Sequence, residues 1–490
     1  MIRLATLAVA MPLAVFSCAI DDGSYEISGL PAGGQDFVAG SQGDRFDEIA
    51  ENPFVKTKDQ NVSTFSIDAD GASYAIMRKY VTTGWEVEPA SVRIEEYLNY
   101  FTFDYPEPTG SDMVGINAET GHCPWNKGHR LIRLGLKGKS LDKDELPPSN
   151  YVFLVDVSGS MSSINKLELL KTSLNKLLDY LQPDDRISIV TYSGKVEKIL
   201  ESTPVSEAAK IKAAIKNLTA SGSTAGGKAI EMAYEEALSN FIENGNNRVI
   251  LGTDGDFNVG VTDSDELAAL VEGYARKGIY LTVCGFGSGN LNDSMMKKLS
   301  VKGNGTYQYI DSESEMTKVF VHEKSKFVSV ANDTKVQITF DPEVVESYRL
   351  IGYERRVMNS EDFEDDTKDA GEIGGGQTIT ALYEIVPAEG YRDGALCGKF
   401  DCRYKKSLLD PESLTLSIDI AATEGEMSSE LSFASGVAAY GLVLFGSEYK
   451  GEASLEMASD LIKPGLAFDP HGYRAELLEL ISKAKVREQK

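Results

Sequence analysis

Histidine and cysteine are scarce in this chain, four and five residues respectively in 490, and the cysteines form no close CxxC pair. A zinc centre draws its ligands largely from those side chains and is therefore not expected. No His lies between residues 145 and 320, and Ser158 and Ser160 stand in no GxSxG turn, so a serine hydrolase would lack both base and nucleophile elbow. Positive charge is also short. Lys and Arg number 49 against 75 Asp and Glu, a net charge of −26, which repels a nucleic-acid backbone and excludes it as a partner. Beyond the first residues no stretch reaches the ~18 apolar positions of a membrane-spanning helix.

Hydrophobic residues at 42% and charged residues at 25% are ordinary for globular protein. At about 100–200 residues per domain, the length predicts two to four units. Met1-Ile-Arg3 followed by the apolar run Leu4–Phe16 reads as a secretory signal over 1–17. Its end, Val15-Phe-Ser-Cys18, resembles a bacterial lipobox, which implies lipidation at Cys18 and anchoring by acyl chains alone. Residues 18–50, rich in Gly, Asp and Ser, predict a flexible tether. Asp21 and Asp22 resemble the surface-export signal of some lipoproteins. The expected location is the bacterial cell envelope, at the outer membrane or cell surface.

Residues 51–144 predict an N-terminal segment of helices and strands, with helices at Ala72–Val81 and Ser91–Phe101. Asp68 and Asp70 beside Gly71 lack the further ligands of a calcium loop and predict a turn with a helix cap. Along Arg130–Leu136, Ile132, Leu134 and Leu136 should share an apolar face opposite Leu131, Arg133 and Gly135. Between 145 and 320 strands alternate with helices, the mark of a parallel-rich sheet covered on both faces. The strands are expected at Tyr151–Val157, Arg186–Tyr192, Arg248–Gly252, Ile279–Phe286 and Thr306–Ile310, and one helix at Lys166–Leu181. Residues 321–490 predict a β-rich domain ending in helices. The strands near 113–136 and 330–420 are each short of partners, so the central domain reads as an insertion between segments that pair with each other. Cys397 and Cys402 would lie roughly 16 Å apart on an extended strand, too far for a disulfide unless Gly398 and Lys399 turn the chain.

The first central strand ends in Asp156-Val-Ser158-Gly-Ser160. Later come Ser221-Gly-Ser-Thr224-Ala-Gly-Gly227 and Thr253-Asp254-Gly-Asp256. In an open α/β sheet, ligands bind at the carboxyl ends of strands, and these loops offer only oxygen. That chemistry suits a hard divalent cation, Mg²⁺ first, with Mn²⁺ or Ca²⁺ as alternatives. Among the five groups proposed as ligands, Asp156, Ser158, Ser160, Thr224 and Asp254, only Asp156 and Asp254 are carboxylates, so the cation would remain electrophilic and accept an Asp or Glu side chain from a partner protein.

Asp156, Ser158, Ser160, Thr224 and Asp254 resemble the metal-ion-dependent adhesion site of von Willebrand factor type A (VWA) domains, DxSxS with a distant Thr and Asp. Further segments resemble bacterial YfbK-type proteins: Asn52-Pro-Phe, Ser63–Asp68 and Val92–Glu96 before the central domain, and Asp365–Glu372, Thr380–Glu384 and Tyr473–Glu476 after it. The resemblance implies a Rossmann-like VWA domain that binds a protein rather than catalysing a reaction. The rival is a metal-independent envelope scaffold. Gly222 to Lys228 also matches GxxxxGK, but Ala229 replaces the Ser or Thr that holds Mg²⁺ and a helix-like stretch precedes the loop, so no nucleotide is expected.

Overall fold

The alternation of apolar residues along Tyr151–Val155 sends Tyr151, Phe153 and Val155 to one side of a sheet and Val152 and Leu154 to the other, as a pleated strand must. In the computed structural model, which describes residues 37–39, 43–68, 70–223, 227–255, 264–287, 289, 291–408 and 410–488, this strand is Ser149–Asp156. It lies inside a six-stranded sheet in the order Tyr307–Ile310, Ile279–Phe286, Asn246–Thr253, Ser149–Asp156, Arg186–Tyr192, Val196–Pro204. All neighbours are parallel except the last pair. Helices Gly227–Ser239, Ser264–Ala275 and Asp293–Lys302 cover one face; Leu169–Leu178 and Ala208–Lys216 cover the other. The parallel-rich α/β fold is the one the sequence predicts.

Two elements are not legible in the sequence. Val196–Pro204 is an edge strand whose mostly exposed side chains break the apolar alternation. Asp293–Lys302 is a helix rich in polar residues, yet it buries Lys297 and Ser300. The helix expected at Lys166–Leu181 also differs. It opens as a π-helical turn at Ile164–Glu168 and becomes α-helical only over Leu169–Leu178. Such a turn adds a residue and re-aims side chains, and is frequent at functional sites. Likewise the expected helix at Ser91–Phe101 resolves into a short 3₁₀ turn, Pro89–Ser91, and the helix Ile94–Asn99.

The flanking segments form a sandwich of two sheets. In one, Val62–Ser66 and Leu396–Lys405 pair on either side of Ser329–Phe340. In the other, Arg130–Gly138 pairs with Thr378–Pro387 from Arg130↔Ile385 to Lys137↔Thr378, and Val114–His122 with Arg130–Gly138. Strands from before and after the central domain thus complete each other, and the apolar faces meet in one core. Ile132, Leu134 and Leu136 enter that core, while Leu131 faces the helices behind the sheet and Arg133 pairs with Glu119 at 3.1 Å. Cys397 and Cys402 are both buried there as free thiols. Five residues apart, they would face opposite sides of a regular strand. A register shift between Leu396 and Gly398 brings both inward.

Ser429–Phe445 is apolar on every side because it is enclosed. Its neighbours are Leu455–Ile462, Tyr473–Glu488, Ile94–Asn99 and the outer face of the sheet carrying Leu131 and Leu382. Helix Ala72–Thr83 joins the two parts of the molecule. Tyr74 and Met77 pack into that helical core, and Ala72, Ala75, Ile76 and Tyr80 into the central domain. Residues read from sequence as the end of a flexible tether are docked. Phe46 is fully buried, and Asp44 accepts from Gly289 N at 2.8 Å and Leu291 N at 3.0 Å. The signal segment and Cys18 lie outside the described residues.

Charge completes the join. Lys297 Nζ lies 2.7 Å from Asp68 Oδ2, 2.7 Å from Asp70 Oδ2 and 2.8 Å from Glu96 Oε1. Arg356 reaches Asp68 from the sandwich at 3.1 Å, and Arg93 ties Glu96 to Asp293. On the other side of the joining helix, Arg78 pairs with Glu315 at 2.8 Å and Glu476 at 3.3 Å. Removing one partner of a buried ion cluster costs about 3–5 kcal/mol because the others are left uncompensated. Lys297→Ala is therefore expected to lower unfolding free energy in urea by about that amount; a change under about 1 kcal/mol, the scale of an exposed pair, would remove this cluster as the joint.

Candidate metal centre

Two adjacent strands of the central sheet, Ser149–Asp156 and Asn246–Thr253, are in register to Val155↔Gly252, so the residues that follow them emerge side by side. Asp156 ends the first strand, fully buried. Its Oδ1 accepts from Ser158 N at 2.8 Å, which turns the chain and sets the Ser158 and Ser160 hydroxyls 2.9 Å apart. Ser158 is buried and Ser160 exposed, so the group opens to the surface. Asp254, also fully buried, follows the second strand. Thr253 Oγ1 links the two, donating to Asp156 Oδ2 at 3.4 Å and accepting from Gly255 N at 3.2 Å.

A third loop is laced to the first. Ser221 N donates to Val157 O at 2.7 Å and Gly159 N to Gly222 O at 3.0 Å; Gly222 holds φ +82, a conformation suited to glycine. Thr224 and Asp256 lie outside the described residues. The structure therefore places Asp156, Ser158, Ser160 and Asp254 at one end of the sheet and the start of the Thr224 loop against them. The helix Ala208–Lys216 precedes that loop, where a nucleotide-binding loop would follow a strand, and Ala229 is buried.

Burial pushes the Asp156 carboxyl up to about 6 and the charge of Asp254 adds to the rise, while hydrogen bonds from Ser158 oppose it. Two carboxylates so placed favour a positive charge between them. Two carboxylates and two hydroxyls are an all-oxygen set that fits Mg²⁺, which keeps waters in its remaining positions. One cation is already supplied by the protein. Lys166 Nζ donates to Asp254 Oδ2 at 2.8 Å, and its side chain is 9% exposed. In the sequence Lys166 reads only as the start of a helix; its position in Asn165-Lys166-Leu167, ten residues beyond Asp156, carries no signal of this contact.

A second acidic group has a different character. Asp68, Asp70 and Glu96 bring carboxylate oxygens within 4.8 Å of one another, but the Lys297 ammonium sits against all three. It is a cation site filled by a side chain. The turn expected at Asp68 and Asp70 is present, with Asp70 N donating to Asp68 Oδ1 at 3.0 Å. The expected helix cap is not made: Gly71, which has no side chain to bond with, occupies the cap, and Asp70 Oδ1 instead accepts from Tyr307 N at 2.8 Å. Burial first, then neighbouring carboxylates, push Asp70 up to about 7 against the pull of Lys297.

Comparison with known proteins gives three family matches. Residues 150–322 match the von Willebrand factor type A domain, residues 40–133 a profile described as von Willebrand factor, and residues 325–486 the YfbK C-terminal profile. The YfbK protein of Escherichia coli (strain K12) is 36% identical over 464 residues, covering 90% of this chain and 81% of that one. Human inter-alpha-trypsin inhibitor heavy chain H3 is 28% identical over 182 residues, 34% of this chain but 20% of that protein. Among solved structures, a von Willebrand factor type A protein from Catenulispora acidiphila aligns with a TM-score of 0.43 and 16% identity, covering 74% of this chain and 89% of that one. The extent of the match to the E. coli protein, with profiles spanning the central domain and both flanks, makes this chain a member of the YfbK family built around a VWA domain.

Proposed function

We propose that the protein binds a partner protein through a divalent cation held at the end of the central sheet, and that it does so at the bacterial envelope without catalysing a reaction. The observation that carries this reading is the convergence of Asp156 and Asp254 with the Ser158 and Ser160 hydroxyls at a spot open on one side. Asp156 and Asp254 would hold the ion's charge, directly or through water. Ser158, Ser160 and Thr224 would complete the oxygen set, leaving a position for an Asp or Glu carboxylate of the partner. Mg²⁺ is the ion this set suits best, ahead of Mn²⁺ and Ca²⁺. The absence of catalysis is supported by the two serine hydroxyls bonding each other, with no His between 145 and 320 to activate either.

A metal-independent scaffold is the second reading, and one observation favours it: Lys166 already neutralises Asp254. Isothermal titration of Mg²⁺ into the full chain separates the two. Site-dependent heat that disappears in Asp156→Ala is expected; identical traces for both proteins would favour the scaffold.

Envelope attachment rests on the sequence at Cys18. Among the described residues no helix is long and apolar enough to cross a membrane. Cys18→Ser is expected to abolish labelling by radioactive palmitate and to release the protein from the membrane fraction; retained labelling would remove the anchor. Crosslinking in intact envelopes should capture a partner that is lost with EDTA yet retained in moderate NaCl, because coordination is far less sensitive to screening than surface charge attraction. Loss with salt and indifference to EDTA would overturn coordination as the mode of binding.

A further inference from the structure

The fold is arranged to bring the Lys166 ammonium to Asp254. The π-helical turn Ile164–Glu168 begins directly after the serine loop, with Lys166 N donating to Ser163 O at 3.0 Å. From there the Lys166 stem runs against Gly287, just past the strand Ile279–Phe286. Gly287 holds φ +75, and a Cβ there would lie 2.7 Å from Lys166 Cγ and 2.9 Å from its Cδ. The Gly287 carbonyl is in turn held by the Tyr309 hydroxyl. A side chain at position 287 and the observed lysine path are therefore incompatible, and glycine leaves the channel open. At its end Nζ meets Asp254 Oδ2 at 2.8 Å, with both side chains buried.

We infer that Lys166 is a built-in counter-cation that sets the divalent-ion affinity of the Asp156–Asp254 site. This rests on the reading of that site as a metal centre. With the ammonium in place the two carboxylates carry one net negative charge; without it they carry two. An incoming divalent ion must share Asp254 with Lys166 or displace it, and in either case works against a like charge in a poorly solvated spot. The lysine thus keeps the buried carboxylates compatible with folding in the absence of the ion and moderates the affinity in its presence.

The test compares the full chain with Lys166→Met, Lys166→Gln and Lys166→Arg, titrated with Mn²⁺ at fixed ionic strength and followed by loss of the free-ion electron paramagnetic resonance signal. Far-UV circular dichroism checks folding, and melting in EDTA and in Mn²⁺ gives a second readout. The neutral variants are expected to bind Mn²⁺ at least about tenfold more tightly, the scale of removing a unit charge close to a divalent ion. They should melt below the parent in EDTA and gain more from Mn²⁺. The Arg variant should keep affinity near that of the parent. Should the Met variant not fold, the Gln variant, which keeps a donor to Asp254, decides the matter. If the parent binds Mn²⁺ while the folded neutral variants bind it equally or more weakly, Lys166 is instead a positioning residue for Asp254 and the inference fails alone. If the parent binds no Mn²⁺, the metal reading falls and takes the inference with it.

Discussion

Buried carboxylates persist in a protein interior only where fixed positive charge or hydrogen-bond donors stand against them, and much of the internal architecture of this strongly acidic chain turns on where its lysines and arginines are placed. Lys297 meets Asp68, Asp70 and Glu96 where the central domain joins the preceding segment. Arg78 plays the same part on the other side of the joining helix. At the end of the sheet, Lys166 pairs with Asp254. The first two groups are closed by several partners and belong to the framework. The third lies beside the exposed Ser160, at the place proposed to receive an ion.

The insertion of the central domain into the sandwich follows from pairing. Arg130–Gly138 leaves an unpaired edge until Thr378–Pro387 returns to it, and Val62–Ser66 until Ser329–Phe340 does. A sheet edge without a partner invites nonspecific association, so the two ends of the chain are held together by the same hydrogen bonds that complete each sheet. Helix Ala72–Thr83 then uses both of its faces, one against the sandwich helices and one against the central domain.

Much of the fold is legible where the physics is local. Alternation along Arg186–Tyr192 and Ile279–Phe286 marks strands whose bounds the structure reproduces, and the face division of Ile132, Leu134 and Leu136 from Leu131 is a matter of pleat alone. Errors fall where an element answers to distant groups. Asp293–Lys302 is too polar to read as a packed helix until Lys297 is seen to have three carboxylates to meet. Residues 43–47 look like linker because the groups that give Asp44 its bonds, Tyr80, Gly289 and Leu291, all lie further along the chain.

The same division runs through the candidate site. Composition and short spacing determined by themselves that an oxygen-bearing DxSxS loop ends an apolar strand, and that the central domain is a layered α/β unit. These depend on side-chain inventory, strand period and turn chemistry within a few residues. Only the tertiary structure decided that Asp156 and Asp254 share one environment, that Lys166 reaches Asp254 through the space left by Gly287, and that Asp68, Asp70 and Glu96 surround an ammonium. Each of these joins residues distant in the chain, and electrostatic energy depends on separation in space, which no local pattern encodes.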